Sequence, residues 1–229
     1  MKRVKSLVFN RFVLDENQHQ STDLLTMFSE ASYSEENGMG FTRSRAEGSS
    51  VEATLLKRSF TAVQEFDPVN QELIKKQIPI FSAVSFSINS EMNLLTVYGG
   101  QSQLNLVRMM LRNIPGLKYS AEPISLHAST FAELLSEKGI QANIHQLTIR
   151  QFNYENGMVG RFSGEVTKQS TAQELLEHYG SAVVKVVFIL KIEKEELLVQ
   201  ILPNGNLKVL CEEDDFDYYL AYLKQIIFS

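Results

Sequence analysis

The sequence predicts an α+β fold of two similar halves, each with mainly antiparallel strands followed by a packing helix. Three observations predict it. Ile80-Phe81-Ser82-Ala83-Val84-Ser85-Phe86-Ser87-Ile88 alternates apolar and polar residues at the period of a half-buried strand. The apolar run from Ala182 to Leu190 is about half the roughly 20 residues of a membrane helix and carries Lys185 in its middle, which suits a buried strand. Near the C-terminus, Phe216, Tyr219, Leu220, Leu223 and Ile227 recur at the spacing of one helix face.

In order along the chain, Arg3 to Leu14 is rich in Val, Leu and Phe but broken by Lys5, Asn10 and Arg11, the pattern of a strand with one wet face. Ser21 or Thr22 then caps a helix carrying Leu24, Leu25, Met27, Phe28 and Ala31. After the turn signal Glu35-Glu36-Asn37-Gly38, the stretch from Met39 to Phe66 mixes apolar and polar residues, with Gly48-Ser49-Ser50 as a hairpin tip. Asp67-Pro68 reads as an N-cap followed by proline at the first helical position, so a helix is expected through Leu73 and Ile74 to about Lys76, ended by Pro79. The alternating strand 80–88 follows, then a return strand from Asn93 to Tyr98 and a helix from Ser102 to Asn113.

Pro115-Gly116 and the stretch to Pro123 read as a connection, placing a boundary near residue 120 between an N-terminal half, 1–120, and a C-terminal half, 121–229, packed as one unit. A helix over 129–138 is marked by a capping box of Thr130 and Glu133 and by Gly139. Strands at 144–154 and up to Val166 flank a turn at Glu155-Asn156-Gly157, and a helix from Thr171 to Tyr179 stops at Gly180. Strands at 182–192, 197–202 and 207–210 and a helix from Asp214 to Ile227 complete the chain. A pseudo-duplicated sheet is suggested by two similarities: Leu7-Val8-Phe9-Asn10-Arg11-Phe12 with Leu147-Thr148-Ile149-Arg150-Gln151-Phe152, and Glu36-Asn37-Gly38-Met39 with Glu155-Asn156-Gly157-Met158. Their offsets, 140 and 119 residues, require an insertion in the first half.

A chain of 229 residues that is 44% hydrophobic and 21% charged is long enough and apolar enough to bury a core. One cysteine, Cys211, forms no internal disulfide, which points to a reducing, cytoplasmic setting. The net charge of −5 disfavours nonspecific attraction to nucleic acid or an anionic membrane, and no membrane association is expected.

The chemistry-bearing motifs are absent. His19, His127, His145 and His178 share no metal-ligand spacing, and neither a phosphate loop nor a GxSxG elbow occurs. Glu212-Glu213-Asp214-Asp215 with Asp217 stands where a helix start favours negative charge. No cofactor, metal or catalytic residue is therefore assigned. Two surfaces remain. Arg43, Arg45, Lys57 and Arg58 form a basic strand region able to meet phosphates, with Glu47 and Glu52 as the plain balancing alternative. Tyr218 and Tyr222 beside the last helix's apolar stripe, and the basic pair Arg108 and Arg112 one turn apart, suit a partner interface. The expected function is a noncatalytic binding or assembly subunit acting through a protein partner or self-association. The alternatives are a nucleic-acid-binding protein using the 43–58 region and an enzyme whose site assembles only in three dimensions.

Overall fold

In the computed structural model, residues 2–15, 21–154, 157–192 and 195–228 are described, and they form a mixed α+β protein dominated by antiparallel sheet. Its contacts divide into two compact units. The first comprises Arg11–Tyr98 and Ser102–Ala121; the second comprises Met1–Asn10, Gly99–Gln101 and Glu122–Ser229. The opening strand β1 (Lys2–Leu14) thus gives its first part to the second unit and its end to the first.

The first unit holds α1 (Ser21–Glu30), β2 (Met39–Glu47), β3 (Ser50–Asp67), β4 (Glu72–Asn89), β5 (Leu94–Tyr98) and, from Ser102 on, α2 (Gln101–Arg112), with strands in the order β2-β3-β4-β5. The end of β1 joins through Phe12, whose N–H donates to the Asn93 carbonyl at 2.7 Å. Gly48, at φ +56, and Ser49 turn the β2–β3 hairpin where the sequence places its tip. Val51, Ala53 and Leu55 of β3 alternate inward with Val84, Phe86 and Ile88 of β4. On that face Phe28 of α1 meets Phe41 at 4.6 Å and Phe86 at 5.7 Å between ring centroids, all three buried. Gly40 is required by close approach: a Cβ there would lie 2.4 Å from the Tyr33 backbone.

The second unit orders its strands β1-β11-β10-β9-β7-β8. They are β7 (Gln141–Asn153), β8 (Val159–Glu165), β9 (Val183–Ile192), β10 (Glu195–Ile201) and β11 (Asn206–Glu212). Its helices are α3 (Ala128–Glu137), α4 (Gln169–Tyr179) and α5 (Phe216–Phe228). Phe131 of α3 packs edge-on to Phe188 of β9 at 5.4 Å, and α5 buries Phe216, Tyr219, Leu220, Leu223 and Ile226. The strand order differs from that of the first unit, where the hairpin's first strand, β2, ends the order; here the second strand, β8, does.

Three local expectations need correction. The helix expected over 67–76 is absent: Asp67 starts a turn, and Glu72 onward is strand β4, paired with β3 from Asp67↔Glu72 to Ser50↔Asn89. Asp followed by Pro serves a turn as well as a helix start, because the carboxylate accepts nearby backbone N–H groups in both. Here Asp67 Oδ1 accepts from Val69 and Asn70, at 2.9 and 3.3 Å. The connection before Pro123 contains a short strand, β6 (Tyr119–Pro123), paired with β1. Thr130 and Glu133 are no capping box, since α3 already begins at Ala128 with His127 as an N-cap that makes no side-chain bond. Helix α4 does end at Tyr179, and Gly180, in right-handed conformation, leads on into a single 3₁₀ turn, Gly180–Ala182. Of the expected turn at 155–157, Glu155 and Asn156 lie outside the described residues, while Gly157 has φ +74.

Candidate functional site

The feature that sequence reading missed is an arm. β2 pairs with β3 only as far as Lys57, and β5 pairs with β4 only from Phe86, so between those points the β3–β4 hairpin has no lateral strand among the described residues. Continuous cross-strand pairing carries it from Arg58↔Phe81 to Asp67↔Glu72. Opposed residues of an antiparallel pair share a face and neighbours along a strand alternate, so the register assigns every side chain to one of two faces. One face presents Phe60, Ala62 and Phe66 with Leu73, Pro79 and Phe81. The other presents Val63 with Ile74, Ile78 and Ile80, prolonging the row of buried Leu55 and Val84 out of the core.

Most of these apolar side chains are exposed, Val63 and Ile78 being half-buried and Phe81 meeting the Tyr33 ring edge-on. Phe60 and Phe66 are each 59% exposed, Leu73 is 63% and Phe81 is 54%. Of the charged groups interleaved with them, Lys76 meets Glu65 at 3.2 Å and Arg58 lies 5.4 Å from the Phe60 ring centroid. At the tip, the Asp67 carboxyl is held below its ordinary pKa, first by the Val69 N–H, then by the Asn70 side chain and the Asn70 N–H. Pro79 stands in the part of β4 that has β3 on one side only, where a missing N–H is tolerated.

The basic region sits at the arm's base and does not form one face. Arg45 opposes Glu52 and is ion-paired with it at 2.6 Å, on the same face as Arg58. Arg58 is held by the Glu35 carboxylate at 2.9 Å and by the Glu35 carbonyl. Lys57 projects from the opposite face, and Arg43 is the exposed, left-handed residue (φ 52) of the bulge between Thr42 and Arg45. Tyr218 is exposed on α5 beside buried Tyr219, whose hydroxyl reaches Glu195 at 3.4 Å, while Tyr222 is half-buried. Arg108 and Arg112 line a shallow depression on α2 with Asn105, Met109 and Asn113.

The second unit also offers an open sheet face. Val4, Leu210, Leu198 and Ile189 stand in register across β1, β11, β10 and β9, with Val4 exposed and the others half-buried. Among the described residues no group of three His, Cys, Asp or Glu is placed to hold a metal, and no helix is long and apolar enough to cross a membrane. His145 comes within 3.9 Å of Glu165, both at the surface. The crevice at His127 is lined by Ser129, Leu176, Lys185 and Ile201, with no carboxylate in its wall. A scan against protein-family models matches none, and a search of curated proteins finds no match.

Proposed function

We propose that this chain is a noncatalytic binding or assembly subunit that acts through protein–protein contacts, with the β3–β4 arm as its contact element. The observation that carries the reading is the arm's apolar surface on both faces. A two-stranded ribbon is at best marginally stable alone in water, and large aromatic side chains left in water along it gain their burial from a partner. Phe66 stands opposite Leu73 near the tip and Phe60 lies diagonal to Phe81 near the base, so one face of the arm offers two pairs of anchors.

The test replaces these four by serine together and follows two readouts: light scattering of the purified chain, and capture from its own cells repeated with the purified captured protein. The expected result is association weakened at least about tenfold with the melting temperature unchanged. Equal association by both readouts contradicts the reading.

The nucleic-acid alternative rests on Arg43, Arg45, Lys57 and Arg58, of which Arg45 and Arg58 are ion-paired within the chain. Salt-dependent binding lost on neutralising all four would bring it forward. A cytoplasmic setting is supported by Cys211, buried and unbridged. A duplicated origin is supported by one shared detail: each half has a helix followed by a hairpin whose first strand bulges at a left-handed residue, Arg43 in β2 and Gln151 in β7.

A further inference from the structure

The arm has two edges, and they are unlike. The outer edge of β4 carries the adjacent pair Lys75 and Lys76 and is interrupted by Pro79, devices that discourage a further strand from pairing there. The outer edge of β3 has neither. It is occupied by β2 as far as Lys57, and the Arg58 N–H donates to the Gly38 carbonyl at 2.7 Å; from Ser59 to Asp67 no strand among the described residues pairs with it. A free strand edge without proline or lysine is a template for another strand.

We propose that the occupant is the same edge of a second copy, so that two arms pair antiparallel through β3 about a twofold axis at Val63. This rests on the reading of the arm as the contact element and names its partner. Two independent considerations select one register. If both copies use the whole free edge from Ser59 to Asp67, symmetry puts Val63 on the axis. That alignment opposes Phe60 to the second copy's Phe66, and Phe66 to its Phe60, on one face. On the other it opposes Val63 to Val63, Thr61 to Glu65 and Ser59 to Asp67. Aromatic pairs and hydroxyl–carboxylate pairs are favourable across strands, and no like charges stand opposite. The diagonal neighbours agree. Asp67 falls beside Lys57 of the other copy, and Phe66 beside its Arg58. Sliding the register by two residues opposes Phe60 to Gln64 and loses both aromatic pairs. An isologous interface needs one self-complementary patch, and this edge is one.

The experiment uses full-length chains carrying Cys211→Ser, with single cysteines introduced along β3 of the arm and folding checked by circular dichroism. Under mild oxidation Val63→Cys is expected to give a disulfide-linked dimer. Phe60→Cys alone gives none, because the two copies of residue 60 lie six residue steps apart, roughly 20 Å. A mixture of Phe60→Cys and Phe66→Cys chains gives the mixed dimer. Val63→Lys, which places two ammonium groups on the axis, raises the dimer dissociation constant at least about tenfold. A strict monomer with no cross-link at residue 63 overturns the self-pairing while leaving a different protein as the arm's partner. Cross-linking of residue 60 to itself as readily as residue 63, or a dimer that Val63→Lys does not weaken, overturns the β3 edge as the interface.

Discussion

Asp67 decides the arm's tip, and its chemistry can be read by pH. Because bonding to the charged form depresses its pKa, its contribution to the turn is complete above the ordinary carboxylate value and is lost as pH falls through the depressed one. Acidification is therefore expected to shift the amide resonances of Val69 and Asn70 toward those of an open loop, and Asp67→Ala does the same at neutral pH. Cys211 shows the opposite sign. Burial pushes its thiol pKa up, opposed by Lys5 and reinforced by Asp215 and Glu212. Less thiolate and a closed position predict labelling by a thiol reagent at least about tenfold slower in the folded chain than in denaturant. At Gly40 the constraint is steric, since any Cβ meets the Tyr33 backbone, so Gly40→Ala is expected to cost about 2 kcal/mol in denaturant unfolding.

Among elements, the contrast is between phenylalanines that look alike in sequence. Phe28→Ala leaves a cavity against Phe41 and Phe86 and is expected to cost about 3–5 kcal/mol, whereas Phe66→Ala, on the exposed arm, changes monomer stability by less than about 0.5 kcal/mol. This difference explains what could be read in advance. Strands such as 80–88 and helices such as α2 announce themselves because one face is buried, and burial imposes a period. The alternation of Val84, Phe86 and Ile88 faces a core; the same alternation continues through Ile80, Ile78 and Ile74 without one. With apolar residues on both faces the arm shows no polar side at period two, and Asp67-Pro68 adds a false helix start. The available signal was the even spacing of those isoleucines against Phe60, Ala62 and Phe66. The spacing puts Ile227 on the buried stripe of α5, but Ile226 takes that position, a one-residue drift where Ile226, Ile227 and Phe228 are all apolar.

For the molecule as a whole, each unit closes its own core, and the arm belongs to neither core. The fold is then read as a scaffold, which removal of the arm is expected to leave standing. Ser59 and Ile80 already face each other across the hairpin, so replacing residues 60–79 by Asn-Gly closes a short turn in the strand register. Comparing this chain with the wild type by calorimetry and by light scattering across a concentration series measures scaffold and association separately. The account predicts an unchanged melting temperature at low concentration together with complete loss of association. Association that persists without the arm, or a scaffold that unfolds when the arm is removed, contradicts it.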